Sequence, residues 1–160
     1  MVDSDTDRVF MTQALEEARI AYEEGNIPVG CVIVRDGEII ARAHNLRETT
    51  HDPTAHAEIS ALRIAGKALG SRGLDKVTVY VTLEPCPMCM SAIMLARAGR
   101  LVYGAADPKL GAVVSRWNFV NDPGLHHSIR VTSGTMEEEC CEILERFFAE
   151  RRDRGKQRDE

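Results

Sequence analysis

Asn45–Cys89 is the stretch whose reading decides the fold. It holds Asp52-Pro53-Thr54-Ala55-His56-Ala57-Glu58 near its start and Tyr80-Val81-Thr82-Leu83-Glu84-Pro85-Cys86-Pro87-Met88-Cys89 at its end. Zinc accepts imidazole nitrogen and thiolate sulfur, and a catalytic zinc site keeps three protein ligands and an open fourth position. His56, Cys86 and Cys89 supply three such ligands, with no obvious fourth. An open position suits a hydrolytic metal, whose bound water ionises near neutral pH. Glu58 follows the histidine by two residues. It can stand near the metal without ligating it, which suits a proton shuttle.

The residues around each half place these groups. Asp52 followed by Pro53 reads as a helix N-cap and first helical residue. His56 and Glu58 then fall in the first turns, and Ile59, Leu62 and Leu69 face inward. Pro85 and Pro87 stand just before an apolar helix from Met88 to Ala98. Two helix N-termini would thus meet at the metal, their positive ends favouring thiolate. A lone C-x-x-C also serves redox chemistry or forms half of a structural zinc site. A structural site needs a fourth ligand, however, and there is no second C-x-x-C; Cys140 and Cys141 are adjacent on an expected helix and suit that geometry poorly.

Working outward, 160 residues suit one domain spanning 1–160. Hydrophobic residues at 44% and charged residues at 28% are ordinary for a globular chain. No apolar run approaches a membrane span, so no membrane partner is expected, and the acidic start Met1-Val2-Asp3-Ser4-Asp5 is unlike a signal peptide. Five cysteines, two of them assigned to metal, argue against a disulfide framework and for a cytoplasmic location. A net charge of −5 does not advertise a nucleic-acid binder, although it can hide a local basic patch.

Periodicity predicts a helix over 7–24, with Phe10, Ala14, Ala18, Ala21 and Tyr22 on one stripe and Gly25 at its end. Strands follow at Pro28–Val34 and Ile39–Ala43 around the hairpin turn Asp36-Gly37. After Asn45, a polar loop and the metal helix comes a Gly-rich break at 70–73, then strands at Val77–Leu83, Leu101–Tyr103 and Ile129–Thr132. Residues 104–127 lack a period and are expected to form a long functional loop with a short helix at most. A last helix is predicted over Glu137–Arg152, carrying Cys140, Leu144, Phe147 and Phe148, before a charged, frayed tail at 153–160. This order predicts an α/β sandwich on a mixed sheet, its first two strands antiparallel and its later ones joined by helical crossovers. The metal halves would converge at one edge of that sheet.

The pattern H-x-E … P-C-x-x-C is that of zinc-dependent base deaminases. The chain resembles the cytidine-deaminase-like superfamily and, within it, the bacterial tRNA-specific adenosine deaminases. The likeness runs through Ile27-Pro28-Val29-Gly30, His44-Asn45-Leu46-Arg47-Glu48, Asp52–Glu58, Tyr80–Cys89, Gly104 with Asp107-Pro108-Lys109, and Phe147-Phe148 with Arg151-Arg152. It implies a three-layer α/β/α sandwich with a mixed five-stranded sheet, one Zn2+ per chain, a homodimer, and conversion of adenosine to inosine at the wobble position of a tRNA anticodon stem-loop. It further implies that Val29 and His56 flank the base, that Asn45 hydrogen-bonds to it, and that Asp107 and Lys109 lie beside the flanking ribose and phosphate. On local grounds Asn45 and Asp107-Pro108 equally suit plain turn chemistry, and Val29 a core strand position.

Departures from that family cluster in Val113-Val114-Ser115-Arg116-Trp117 and His126-His127-Ser128. Trp117 there suits a base-stacking surface, a lid or a dimer interface. Two alternatives therefore stand beside the tRNA reading: a deaminase of free guanine, cytosine, adenine or their nucleosides, and a catalytically silent zinc-binding RNA-associated subunit. The intact Glu58 opposes the second.

Overall fold

The computed structural model describes residues 4–125 and 127–158. Its elements are α1 (Asp5–Glu23), β1 (Gly30–Arg35), β2 (Glu38–His44), α2 (Arg47–Thr50), α3 (Ala57–Leu69), β3 (Val77–Leu83), α4 (Pro87–Leu95), β4 (Arg100–Ala105), β5 (Arg130–Ser133) and α5 (Glu137–Arg158). Among the described residues the strands form one sheet in the order β2-β1-β3-β4-β5. β1 is antiparallel to both β2 and β3, whereas β3–β4 and β4–β5 are parallel. Asp36 and Gly37 both take positive φ, 51° and 78°, as a two-residue hairpin turn requires.

Strand alternation sorts the core into two layers. Cys31 and Ile33 of β1, Val79 and Val81 of β3, and Leu101 and Tyr103 of β4 pack with α3 and α4. Their neighbours Val32, Val34, Tyr80 and Val102 pack on the other face with Met11, Ala14 and Leu15 of α1 and Cys140 of α5. A period of two that is apolar on both faces means a sheet covered on both faces, hence the three-layer α/β/α sandwich. α1 presses on β1 so closely that a Cβ at Gly30 would lie 1.9 Å from the Ala14 carbonyl oxygen.

The structure corrects several expectations. α3 starts at Ala57, not Pro53. Asp52 spends its carboxylate on the Thr54 N–H and hydroxyl, 2.8 and 2.7 Å, which makes 52–55 a tight turn instead of a helix cap. The inward stripe of α3 is Ala57, Ala61 and Ala65, while Ile59, Leu62 and Leu69 are half-buried. Small residues let that helix sit close to the sheet and turn the larger ones toward its flank. α4 stops at Leu95, where Arg97 turns left-handed at φ 62°. The β2–β3 and β3–β4 connections carry α3 and α4 as expected, but β4 and β5 are joined by the non-helical segment 106–129, which contains turns and, among the described residues, no helix. Residues 153–158 continue α5 instead of fraying. Glu150 and Arg154 are spaced i,i+4, and the terminal cations Lys156 and Arg158 favour the helix's negative end.

One polar cluster ties these elements together. Ser4 caps α1 by accepting the Asp7 N–H at 3.0 Å. The Asp7 carboxylate, 1% exposed, accepts two hydrogen bonds from Arg100, both 2.7 Å, and one from the Tyr80 hydroxyl at 2.9 Å. Burial alone would raise the Asp7 pKa, but the Arg100 and Tyr80 hydrogen bonds hold it below the usual value. Asp7→Asn should therefore lower unfolding stability by about 2 kcal/mol, since it strips the half-buried Arg100 guanidinium of its countercharge and two charge-assisted hydrogen bonds. A carboxyl depressed in the folded state contributes stability that is complete above its unfolded pKa of about 3.9 and lost as pH falls through the folded value. The acid limb of a stability–pH curve should thus be shallower for Asp7→Asn; equal acid slopes would refute that contribution.

Candidate active site

The site forms where strand ends meet helix starts. His56 is the N-cap of α3 and Cys86 the N-cap of α4, each with extended backbone and φ −72°. Neither side chain bonds its own helix, so both are left to face each other. Pro87, at the first helical position, fixes the entry of α4. Cys89 lies one turn on, which brings both sulfurs to the same side.

Nδ1 of His56 lies 3.7 Å from Cys86 Sγ and 3.5 Å from Cys89 Sγ. Bonds of ~2.0 Å to nitrogen and ~2.3 Å to sulfur in a tetrahedral shell would separate such atoms by about 3.6 Å. The donor set fits one zinc ion per chain. Among the described residues this is the only group of three His, Cys, Asp or Glu side chains with ligand atoms within 4.8 Å of one another. The Cys89 thiol hydrogen bond and His56 push the Cys86 pKa down to about 4, despite burial. Cys89 is pushed up in turn, first by Cys86 and then by burial. The Cys86 hydrogen bond raises His56 against the effect of its burial. These groups share protons at close range, and a divalent cation displaces such protons on binding. Glu58, second residue of α3 and 4% exposed, has its pKa raised by burial, with the Cys89 hydrogen bond opposing.

The metal-directed group opens onto a cavity of about 700 Å³. Val29, Asn45, His56, Glu58, Cys86, Asp107 and Lys109 all line it, so seven of the eight expected site residues share one wall system. The eighth, Cys89, is fully buried behind it. Asn45 Oδ1 accepts the Arg47 N–H at 3.1 Å, and Asp107 Oδ1 accepts those of Lys109 and Leu110 at 3.0 and 3.2 Å. Each residue thus does turn chemistry and lines the cavity at once. His44, just before Asn45, is held between Glu17 and Glu24 at 2.8 and 3.0 Å, which fixes the end of β2 against α1.

Other lining residues escaped the sequence reading. Arg47 adds a second cation to the wall, and Phe148 projects from α5 into it instead of joining Phe147 in the core. Asn26 is fully buried and accepts the N–H groups of Glu48 and Thr49, ordering the loop after Asn45. Glu84 closes the cavity floor beside Cys86. Burial works to raise its pKa, but the Ser115 side chain and the backbone N–H groups around the carboxylate hold it below the usual value. The helical spacing Leu144–Phe148 was a legible signal for Phe148; Asn26 and Glu84 carried none. Trp117 is 41% exposed, is not part of the cavity wall, and stacks under Arg116 at 5.8 Å. His127 donates from Nε2 to the Ala98 carbonyl at 2.7 Å, and His126 lies outside the described residues.

Residues 4–105 match the family model of the cytidine and deoxycytidylate deaminase zinc-binding region, so the site is that of a zinc-dependent deaminase domain. The chain is 47% identical over 150 residues to the tRNA-specific adenosine deaminase of Bacillus subtilis (strain 168), spanning 94% of this chain and 93% of that one. It is 51% identical over 143 residues to the tRNA-specific adenosine deaminase of Agrobacterium fabrum (strain C58), spanning 89% and 94%. It also matches a structure from work on A-to-I editing by tRNA:A34 deaminases, with TM-score 0.83, 51% identity and coverage of 85% and 99%. The chain belongs to the tRNA-specific adenosine deaminase family. Guanine deaminase from Nitrosomonas europaea, at 22% identity and TM-score 0.77 over 93% and 87% of the chains, shares the fold.

Cys86→Ala should reduce zinc from about one per chain to nearly none and lower the melting temperature, because α3 and α4 lose their shared ligand shell. Glu58→Ala should retain its zinc, measured by atomic absorption on the purified protein. Zinc loss in Glu58→Ala would make the glutamate a ligand.

Proposed function

We propose that this chain is a hydrolytic deaminase of one domain that converts adenosine to inosine at the wobble position of tRNA. The observation that carries the reading is the single cavity that gathers Val29, Asn45, Glu58, Asp107 and Lys109 around the His56–Cys86–Cys89 group. Its volume suits one nucleoside.

His56, Cys86 and Cys89 hold the zinc in this reading. When bound there, zinc supplies Lewis acidity that lowers the pKa of water to near neutrality. Glu58 takes the proton of the attacking water and returns protons to the ring nitrogen and departing ammonia; burial favours a carboxyl that carries a proton between steps. Val29 and the His56 ring flank the base, and Asn45, its oxygen committed to Arg47, offers its amide nitrogen to the ring edge. Lys109 and Arg47 are the cations on the wall placed to meet flanking phosphates. A base inside a paired stem cannot reach such a cavity, so the substrate adenosine is splayed from a loop.

The hairpin is the partner we assign, and the cytoplasm, where tRNA resides, the location. No described helix is long and apolar enough to cross a membrane. An anticodon stem-loop with adenosine at the wobble position should release ammonia, while guanine, cytosine and free adenosine should turn over at least about a hundredfold more slowly. Glu58→Ala should lose about 10³-fold in kcat. Replacing Arg154, Lys156 and Arg158 on α5 with alanine should make the log–log salt slope of hairpin binding shallower by about 2, at ~0.7 per phosphate contact. Faster turnover of a free base, with an unchanged salt slope, would favour the free-base alternative.

The chain is also proposed to act as a homodimer. Leu95 is 82% exposed, on the flank where α3 and α4 leave Ile59, Leu62 and Ala92 in an open apolar groove. A second copy covering this flank removes that surface from water. Leu95→Asp should sediment as a monomer where the unsubstituted chain sediments as a dimer; a monomeric unsubstituted chain would refute the proposal.

A further inference from the structure

Glu84 stands between the last residue of β3 and the Pro85-Cys86 turn, and it is 2% exposed. A buried carboxylate is costly unless hydrogen bonds replace its water. Here the replacements are backbone amides, with the Ser115 side chain beside them. Oε2 accepts the Asp107 N–H at 3.0 Å, and Oε1 accepts those of Val113, Val114 and Ser115 at 3.2, 2.9 and 3.0 Å. The Glu84 N–H donates to the Ala105 carbonyl at 2.8 Å, and the Ala112 N–H donates to the Pro85 carbonyl at 2.8 Å. A Cβ at Gly111 would sit 2.3 Å from Oε2, so the loop wraps this carboxylate with no room for a side chain there.

The donors to the carboxylate all belong to the segment that carries Asp107 and Lys109, and Glu84 itself is two residues from Cys86. We propose that Glu84 is a positioning residue: its carboxylate seats the 107–115 loop against the metal-binding turn, so that the wall meeting the nucleotide beside the target base is fixed relative to the reacting centre. The assignment rests on the deaminase reading of the cavity and adds to it a residue that touches neither metal nor proton transfer. A carboxylate is required because both oxygens face donors. A glutamine would turn an NH2 group toward the Asp107 N–H or toward the three N–H groups at Oε1.

The test uses zinc-loaded Glu84→Gln and Glu84→Asp with the full chain. Zinc content should be unchanged in both. Hydrogen exchange at the amides of Asp107, Val113, Val114 and Ser115 should accelerate at least about tenfold more than at the β4 amides. KM for the anticodon hairpin should rise about tenfold to a hundredfold in Glu84→Gln with kcat changed less, because a misplaced wall loosens the grip on the flanking nucleotide. Glu84→Asp, which keeps both acceptor oxygens on a shorter stem, should fall between Glu84→Gln and the unsubstituted chain. Free adenosine, which has no flanking phosphate, should show a smaller change in KM. Uniform acceleration of exchange, with hairpin KM unchanged in whichever variant folds, would reduce Glu84 to a general stabiliser and overturn the proposal. An unsubstituted chain that turns over no hairpin overturns the proposed function instead; exchange at the four amides then decides the Glu84 assignment.

Discussion

Three donor atoms from distant parts of the chain have to converge, and most of the architecture follows from that demand. The Nδ1 of His56 and the sulfurs of Cys86 and Cys89 meet at 3.5–3.7 Å only because α3 and α4 start side by side past the end of β3. Placing a ligand at each N-cap has a cost, since an N-cap side chain normally satisfies the first free N–H groups of its helix. In return the unsatisfied positive ends of both helices face thiolate sulfur, where they lower the energy of the charged form. The alanine stripe Ala57, Ala61 and Ala65 brings α3 close enough to the sheet for His56 to reach.

The same economy governs the loops around the cavity. Asn45 and Asp107 each use one oxygen to tie down the backbone two or three residues ahead. A side chain locked in this way loses rotamer freedom before any ligand arrives, so less is lost on binding. Turn chemistry and placement on the cavity wall therefore coincide at these positions. Glu84 extends the idea to a whole segment, replacing helix or strand pairing with a buried carboxylate as the organiser of 107–115.

What the sequence revealed and what it hid follow from how local each signal is. The metal group, β3 and the Asp36-Gly37 turn were legible because residue type and short spacing define them. The start of α3 was misplaced because Asp-Pro serves a turn as well as a cap, and only the Thr54 contacts distinguish the two. Ile59, Leu62 and Leu69 suggest a core stripe by size; Leu62 and Leu69 do pack against the core, but the fully buried positions are the alanines. The β4–β5 connection offered no period because its order comes from Glu84, far away in sequence. No window along 104–127 could have shown that. Charge alone suggests a frayed tail at 153–158, but α5 continues through it, with i,i+4 spacing of opposite charges and cations at its negative end.

That extension resolves an apparent conflict between an acidic chain and an anionic substrate. A net charge of −5 sums over the whole surface, whereas phosphates respond to charge within about a Debye length, ~8 Å at physiological salt. Arg151 is committed to the Gly25 carbonyl at 2.7 Å and to the Phe147 ring at 4.6 Å. Arg152, Arg154, Lys156 and Arg158 are exposed on the same helix, with Asp153 the one acid among 151–158. The helix that carries them also puts Phe148 into the cavity wall. A rigid rod therefore joins the cations to the site, and a phosphate held along it has a defined distance to the cavity. A frayed tail would supply the same charge without that distance. Net acidity thus says little about α5, whose exposed cations form a local basic surface.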